Sequence, residues 1–262
     1  MPPLPSALIG HTGFVGSNLA AQHSFDLFFN SKNIEEIAGR SFDLLAIAGL
    51  PAAMWTANAN PAADRAILDR LAACLLRARA KRVVLISTIA VYPAPHAVDE
   101  DSPIDRAAQT PYGRHRHRLE EIAAANFPSV LAVRLPGIYG PGLRKNAIFD
   151  LLHSHELYKI ESSNLVQYYD LGRLWPDISI ALAAGLNLVN FSTEPVTIAE
   201  IAKEAFGIDF ANRTGAPLAR FDMRSKHAAL FHGRDGYLYA RAQVLDGLRA
   251  FVRRERGQEI SA

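Results

Sequence analysis

One cysteine, Cys74, stands in the whole 262-residue chain. An intramolecular disulfide is therefore excluded, and a reducing, cytoplasmic setting is the expectation. Long apolar runs are missing too: no window approaches the roughly 20 residues of a membrane-spanning helix. Met1-Pro2-Pro3-Leu4-Pro5 lacks the basic segment and apolar stretch of a signal peptide. A surplus of charge is likewise absent, with 28 Lys and Arg against 26 Asp and Glu. That balance speaks against a nucleic-acid footprint and against an anionic membrane surface. Arg249, Arg253, Arg254 and Arg256 read as a solvated helix face. Histidines are plentiful, yet neither His115/His117 nor His153/His155 has the i, i+4 spacing of helical metal ligands. No metal site is expected.

What is present is apolar residue, 49% of the chain, enough for one large α/β domain with a small lobe. The organising stretch is Gly10-His11-Thr12-Gly13-Phe14-Val15-Gly16, between the apolar Ala7-Leu8-Ile9 and the helical Ser17 to Gln22. A strand, a glycine-punctuated turn and a helix open a dinucleotide-binding unit. Gly10 allows the sharp turn, Gly13 keeps side-chain atoms away from a pyrophosphate, and Gly16 lets the helix pack closely. The backbone of Thr12, Phe14 and Val15 completes the anion cradle at the helix start.

Phe25 to Asn30 reads as a second parallel strand. An NAD site carries an acidic residue about twenty positions past the first glycine, where it bonds the ribose 2′-hydroxyl. Here Asn30, Ser31 and Lys32 occupy that place, which suits a 2′-phosphate, so NADP is preferred and NAD is the second choice. About ten residues separate this strand from the next, Phe42 to Ala48, so the nucleotide half is abbreviated. Ala48, Gly49 and Leu50 then lie at a carboxyl edge, where such sheets bind ligands. A helix from Pro61 to Ala80 follows, with Ile67, Leu68, Leu71, Leu75 and Leu76 as its apolar stripe. The strand Arg82 to Tyr92 ends with hydroxyls at Ser87 and Thr88. After a loop from Pro93 to Thr110, a helix carries Tyr112 and Arg116 one turn apart. Val130 to Leu135 is another strand, closed by a Pro136-Gly137 turn.

Four of these segments together resemble the extended short-chain dehydrogenase/reductases, the NAD(P)-dependent epimerase/dehydratase family. They are the glycines at 10, 13 and 16; Ser87-Thr88-x-x-Val91-Tyr92; Pro111-Tyr112-Gly113 with Glu120; and Arg134 to Gly142 with Ile138 in its middle. The resemblance implies a Rossmann-type doubly wound parallel sheet with a small C-terminal substrate lobe. Residues 1–145 would form the dinucleotide-binding core, and 146–262 a smaller lobe interleaved with it. Tyr112 would be the acid/base and Thr88 the residue holding the substrate oxygen. Gly10, Thr12, Gly13, Phe14, Val15, Gly16, Asn30, Ser31, Lys32, Ala48, Gly49, Leu50, Ser87, Pro136, Gly137 and Ile138 would contact the cofactor.

The family's lysine four residues past the tyrosine is replaced by Arg116. A free phenol titrates near pH 10, so it needs a neighbouring positive charge to act as a base at neutral pH. Arginine keeps the charge but not the shape of an ammonium. Three readings stay open: Arg116 serves with slower or altered chemistry, another cation such as His115 or the nicotinamide itself helps, or the reductase activity has decayed. The function expected is oxidoreductase or epimerase/dehydratase chemistry on a small hydroxyl or carbonyl substrate, a sugar derivative among the candidates. Many members that act on nucleotide sugars carry an asparagine where this chain has Gly137. The alternative is an inactive NADP(H)-binding sensor.

Beyond residue 170 the expected elements are a helix from Leu174 to Ala184, a strand from Leu186 to Phe191, and a helix Ile198 to Phe206 capped by Thr197 and Glu200. A last helix, Ala240 to Arg254, presents Val244, Leu245, Leu248 and Phe251 to the body or to a second copy in a homodimer.

Overall fold

A computed structural model describes residues 3–259; Met1 and Pro2, at the start of the segment read as lacking a leader, lie outside them. In chain order the elements are β1 (Ser6–Ile9), α1 (Phe14–Gln22), β2 (Leu27–Phe29), β3 (Ser41–Ile47), α2 (Met54–Ala59), α3 (Pro61–Leu75), β4 (Arg79–Thr88) and β5 (His96–Val98). Then come α4 (Pro111–Asn126), β6 (Val130–Leu135), β7 (Gly137–Tyr139), α5 (Ala147–His153), β8 (Leu165–Val166), β9 (Tyr168–Asp170), α6 (Leu174–Ala183) and β10 (Leu188–Asn190). The chain closes with β11 (Val196–Thr197), α7 (Ile198–Ile201), β12 (Asp222–Met223) and α8 (Arg241–Glu259).

Two compact units result, each assembled from separate stretches. One takes the chain up to residue 93, then 100–135 and 172–190; the other takes 94–99, 136–171 and the chain from 191 on. The chain leaves the first unit at Pro136 and returns to it at Gly172.

In the first unit six strands form one sheet in the order β10-β6-β4-β3-β1-β2. Every pairing in it is parallel, so all carboxyl ends share one edge. Only β2 lies beyond β1, and a single 3-10 turn, Ile34–Ile37, links β2 to β3. One sheet face buries Ala7, Ile9, Leu45, Ile47, Val83 and Leu85 under Leu68, Leu71 and Leu75 of α3 and Leu119 and Ala123 of α4. This alternation is the period-two pattern of a strand meeting the 3.6-residue stripe of a helix.

Two elements of this unit differ from the sequence reading, α3 and β4. α3 stops at Leu75, not Ala80, because Arg79 and Ala80 already pair with Ser41 and Phe42. Its stripe is narrower as well, with Ile67 and Leu76 exposed. β4 ends at Thr88, whose side chain accepts the Ala90 N–H at 3.2 Å and starts a 3-10 turn.

In the second unit, β7 pairs with β9, β8 with β11 and β5 with β12. α8 packs Val244, Leu248 and Phe251 into a core with Tyr139, Ile148 and Ile201. Thr197 and Glu200 form the reciprocal capping box expected of them, although the helix runs on as a π-turn from Ala202 to Phe206.

Candidate active site

The glycine turn is built as its spacing requires. Gly10 has φ +87°, and a Cβ there would stand 2.3 Å from the Ala48 carbonyl oxygen. A Cβ on Gly16 would stand 2.0 Å from the Gly10 carbonyl oxygen, so α1 packs against the turn only with glycine there. Gly13 differs: its added Cβ meets one atom, 3.3 Å away. Gly13 is the N-cap of α1 with no side-chain cap, and Thr12 and Gly13 are exposed. Phe14 and Val15, half-buried, supply the first helical N–H groups. An uncapped helix start behind a glycine that leaves room for an anion fits the pyrophosphate of a dinucleotide.

The turn after β2 is held together by its own side chains. Asn30 Oδ1 accepts the Lys32 N–H at 2.8 Å, and Asn33 Oδ1 accepts the Asn30 N–H at 2.8 Å. Arg70 of α3 donates from Nη2 to the Ser31 carbonyl at 2.8 Å and from Nε to Glu35 at 2.7 Å. Arg70 therefore adds a second cation beside Lys32 that the sequence reading missed. Asp26 is occupied elsewhere, accepting the N–H and hydroxyl of Ser6, which hold its carboxyl below the usual range. At the end of β3, Ala48 donates its N–H to Ile9, Gly49 lies against the Ile9 side chain, and Leu50 packs on the core.

α4 begins where Thr110 accepts the Gly113 N–H at 3.2 Å, with Pro111 at the first helical position. A Cβ on Gly113 would stand 1.9 Å from the Ala90 carbonyl oxygen. Glycine thus lets the helix start against the turn after β4, and this brings Tyr112 to Thr88. The Tyr112 side chain hydrogen-bonds Thr88, while its backbone N–H donates to Asn58 Oδ1 at 3.0 Å. Arg116 Cζ lies 3.8 Å from the Tyr112 ring centroid. The three residues assigned to chemistry are therefore together, and the guanidinium is buried.

Their electrostatics correct one expectation. Burial pushes the Tyr112 phenol above its ordinary value; Arg116 and Thr88 pull it down, and Asp64 pushes it up. The net direction is upward, so Arg116 offsets only part of the burial effect.

Arg116 is itself held by protein oxygens at both of its Nη atoms. Its Nη1 donates to Asp64 Oδ2 at 2.5 Å and to the Tyr112 carbonyl at 3.4 Å, and its Nη2 donates to the Pro51 carbonyl. Asp64 Oδ2 also meets His115 Nδ1 at 2.6 Å. A signal for Asp64 was present in the sequence: it shares the α3 stripe with Leu68, Leu71 and Leu75, and an acid on a core-facing stripe requires a buried partner.

Ser87 is placed differently from its assignment to the cofactor. It is buried, and its hydroxyl donates to Glu120, which takes Arg134 in two further bonds at 2.7 and 3.1 Å. Pro136, Gly137 and Ile138 belong to the second unit, the latter two in β7. There a Cβ on Gly137 would lie 2.8 Å from the Gln167 carbonyl oxygen, so pairing with β9 alone accounts for the glycine.

Among the described residues no group of three or more metal-binding side chains occurs, and no helix is long and apolar enough to cross a membrane. A search of the curated proteins by sequence found no match. The chain is similar in fold to MoeE5 in complex with UDP-glucuronic acid and NAD, at 19% identity and a TM-score of 0.70, over 96% of this chain and 99% of that one. It is similar also to TunA, an NAD-dependent NDP-hexosamine 5,6-dehydratase, at 19% identity and 0.73, over 96% and 97% of the two chains. A third is DesIV, the dTDP-glucose 4,6-dehydratase of Streptomyces venezuelae, at 18% identity and 0.72, over 96% of both. The model of the NAD dependent epimerase/dehydratase family matches residues 29–161, about half the chain, including Thr88, Tyr112 and Arg116. The chain therefore belongs to the NAD-dependent epimerase/dehydratase family, enzymes of the extended short-chain dehydrogenase type.

Proposed function

We propose that this enzyme oxidises or reduces a hydroxyl- or carbonyl-bearing carbon of a sugar derivative, with Tyr112 as the proton carrier. The cofactor, when bound, supplies the hydride chemistry. The observation that carries the reading is the Tyr112–Thr88 hydrogen bond at the carboxyl edge of a parallel sheet, backed by a buried cation on the tyrosine ring. Thr88 orients the phenol toward one oxygen, and Tyr112 gives that oxygen a proton or takes one from it. The nucleotide-sugar complexes among the structures of similar fold support a nucleotide-linked sugar as the substrate class.

NADP is the proposed cofactor. The turn at 30–32 presents Lys32 and a neutral amide, Asn30, in place of the acid that would bond a ribose 2′-hydroxyl, with Arg70 anchored on Ser31 and paired with Glu35. Fluorescence titration tests this: NADPH should bind at least about tenfold more tightly than NADH, and the reverse order would refute it. For the chemistry, Tyr112→Phe should abolish turnover across a panel of nucleotide-linked sugars while cofactor affinity stays within about threefold. Retained turnover would remove the tyrosine from the reaction. Cofactor binding by the wild type without turnover on any substrate would favour the sensor reading instead.

A further inference from the structure

Arg116 stands where a simpler cation would be expected, and its surroundings show what holds it. Its guanidinium is buried, and so is the Asp64 carboxylate, at 5% and 6% exposure. Buried charges persist only when paired and hydrogen-bonded. Here the acceptors come from three places: Asp64 in the first turn of α3, the Pro51 carbonyl before α2, and the Tyr112 carbonyl on α4 itself. His115, the next residue along α4, closes on the same Asp64 oxygen. Asn58, between Pro51 and Asp64, holds the Tyr112 backbone N–H. The segment 51–64 thus grips both the tyrosine and the arginine.

The consequence is geometric. A planar guanidinium held at both Nη atoms, with Cζ 3.8 Å from the ring centroid, acts on the face of Tyr112. Three of its five N–H donors go to protein oxygens, which fixes the plane and position of the group beside the tyrosine. We propose that Asp64 is a positioning residue that fixes Arg116 against Tyr112, so that Arg116 acts on the tyrosine and not as a ligand of the cofactor.

This inference rests on the reading of Tyr112 as proton carrier, but its test needs no turnover. The charged groups bearing on Tyr112 are Arg116 from its own helix and Asp64 from α3; the hydroxyl of Thr88 is neutral. If Asp64 were simply a nearby negative charge, removing it would ease ionisation of the phenol. If it holds Arg116 in place, removing it frees the cation and hinders ionisation. The two roles have opposite signs.

Stopped-flow pH jumps read tyrosinate absorbance before the protein unfolds, and subtraction of the Tyr112→Phe signal isolates Tyr112. In Asp64→Asn the Tyr112 midpoint should rise by about half a unit or more, with NADH affinity within about twofold of wild type. An unchanged or lowered midpoint overturns the positioning role. Should Asp64→Asn fail to fold, Arg116→Gln decides, because Asp64 keeps His115 there. It should raise the midpoint while leaving NADH affinity within about twofold; a loss of about tenfold or more in that affinity would make Arg116 a cofactor ligand and overturn the proposal. Turnover of Tyr112→Phe separately tests the proton-carrier reading, so the clamp and the chemistry fail independently.

Discussion

Two buried arginine–carboxylate pairs sit on the same helix, α4, and differ in what the guanidinium touches. In its second turn Arg116 pairs with Asp64 of α3 and lies on the Tyr112 ring. Further along, Glu120 takes Arg134 of β6 with two bonds, and Arg134 Nη1 reaches the Tyr92 hydroxyl at 2.7 Å. The second pair is wholly internal: Ser87, Glu120, Arg134, Tyr92 and Asn190 tie α4 to β4, β6 and β10. The two pairs thus use the same chemistry for different ends. One rigidifies the join between helix and sheet, and the other places a charge beside a titratable group. Local sequence marked Arg116 by its place four residues past Tyr112, but the carboxylate that each arginine takes comes from another element and was not read from spacing.

The contrast can be broken most strongly at the structural pair. Arg134→Met leaves Glu120 buried without its cation, so stability should fall by about 3–5 kcal/mol, read from the midpoint of urea unfolding. Turnover per folded molecule should change only about twofold to threefold. A comparable loss of turnover would mean the two pairs are not separate in function. Gly113→Ala comes next, because the new Cβ must push α4 away from Ala90. A stability loss of about 2 kcal/mol and a turnover loss of about 100-fold are expected, the latter from displacement of Tyr112.

Thr88→Val removes the hydroxyl partner of Tyr112 and should lower kcat by about tenfold to 100-fold with little change in the unfolding midpoint. The smallest effect belongs to a pair in the other unit, the buried Asp222 with the exposed Arg224. Burial raises the Asp222 carboxyl, but the hydrogen bonds from Arg224 and Tyr237 outweigh it and hold it below its ordinary value. A depressed acid contributes stability above its unfolded pKa, near 4, and loses it as pH falls through the folded one. Asp222→Asn should therefore flatten the acid limb of the stability profile by about 1 kcal/mol or less.

Much of the fold was legible locally. The strand β6 runs from Val130 to Leu135 as the apolar pattern placed it, and the glycines at 10 and 16 are where backbone crowding requires them. Thr88, Tyr112 and Arg116 meet because Gly113 permits the approach, and Gly113 was part of the motif. Less legible were the partners drawn from distant segments. Pro51 contributes only its carbonyl, which every residue carries, and Asn58 reads as an ordinary polar helix residue. Ser87 and Thr88, adjacent in the chain, point to opposite sides of β4. Alternation alone said that they part, while which side faced Glu120 depended on α4.

The sequence by itself determined the order of strands and helices, the glycine turn and the residues available for proton transfer, because these follow from spacing along one stretch of chain. The tertiary structure decided how those residues are charged and held. The direction of the Tyr112 shift, the capture of Arg116 by Asp64 and the burial of Ser87 depend on desolvation and on pairings across 50 or so residues. Such contacts exist only once the sheet has brought α3, β4 and α4 together.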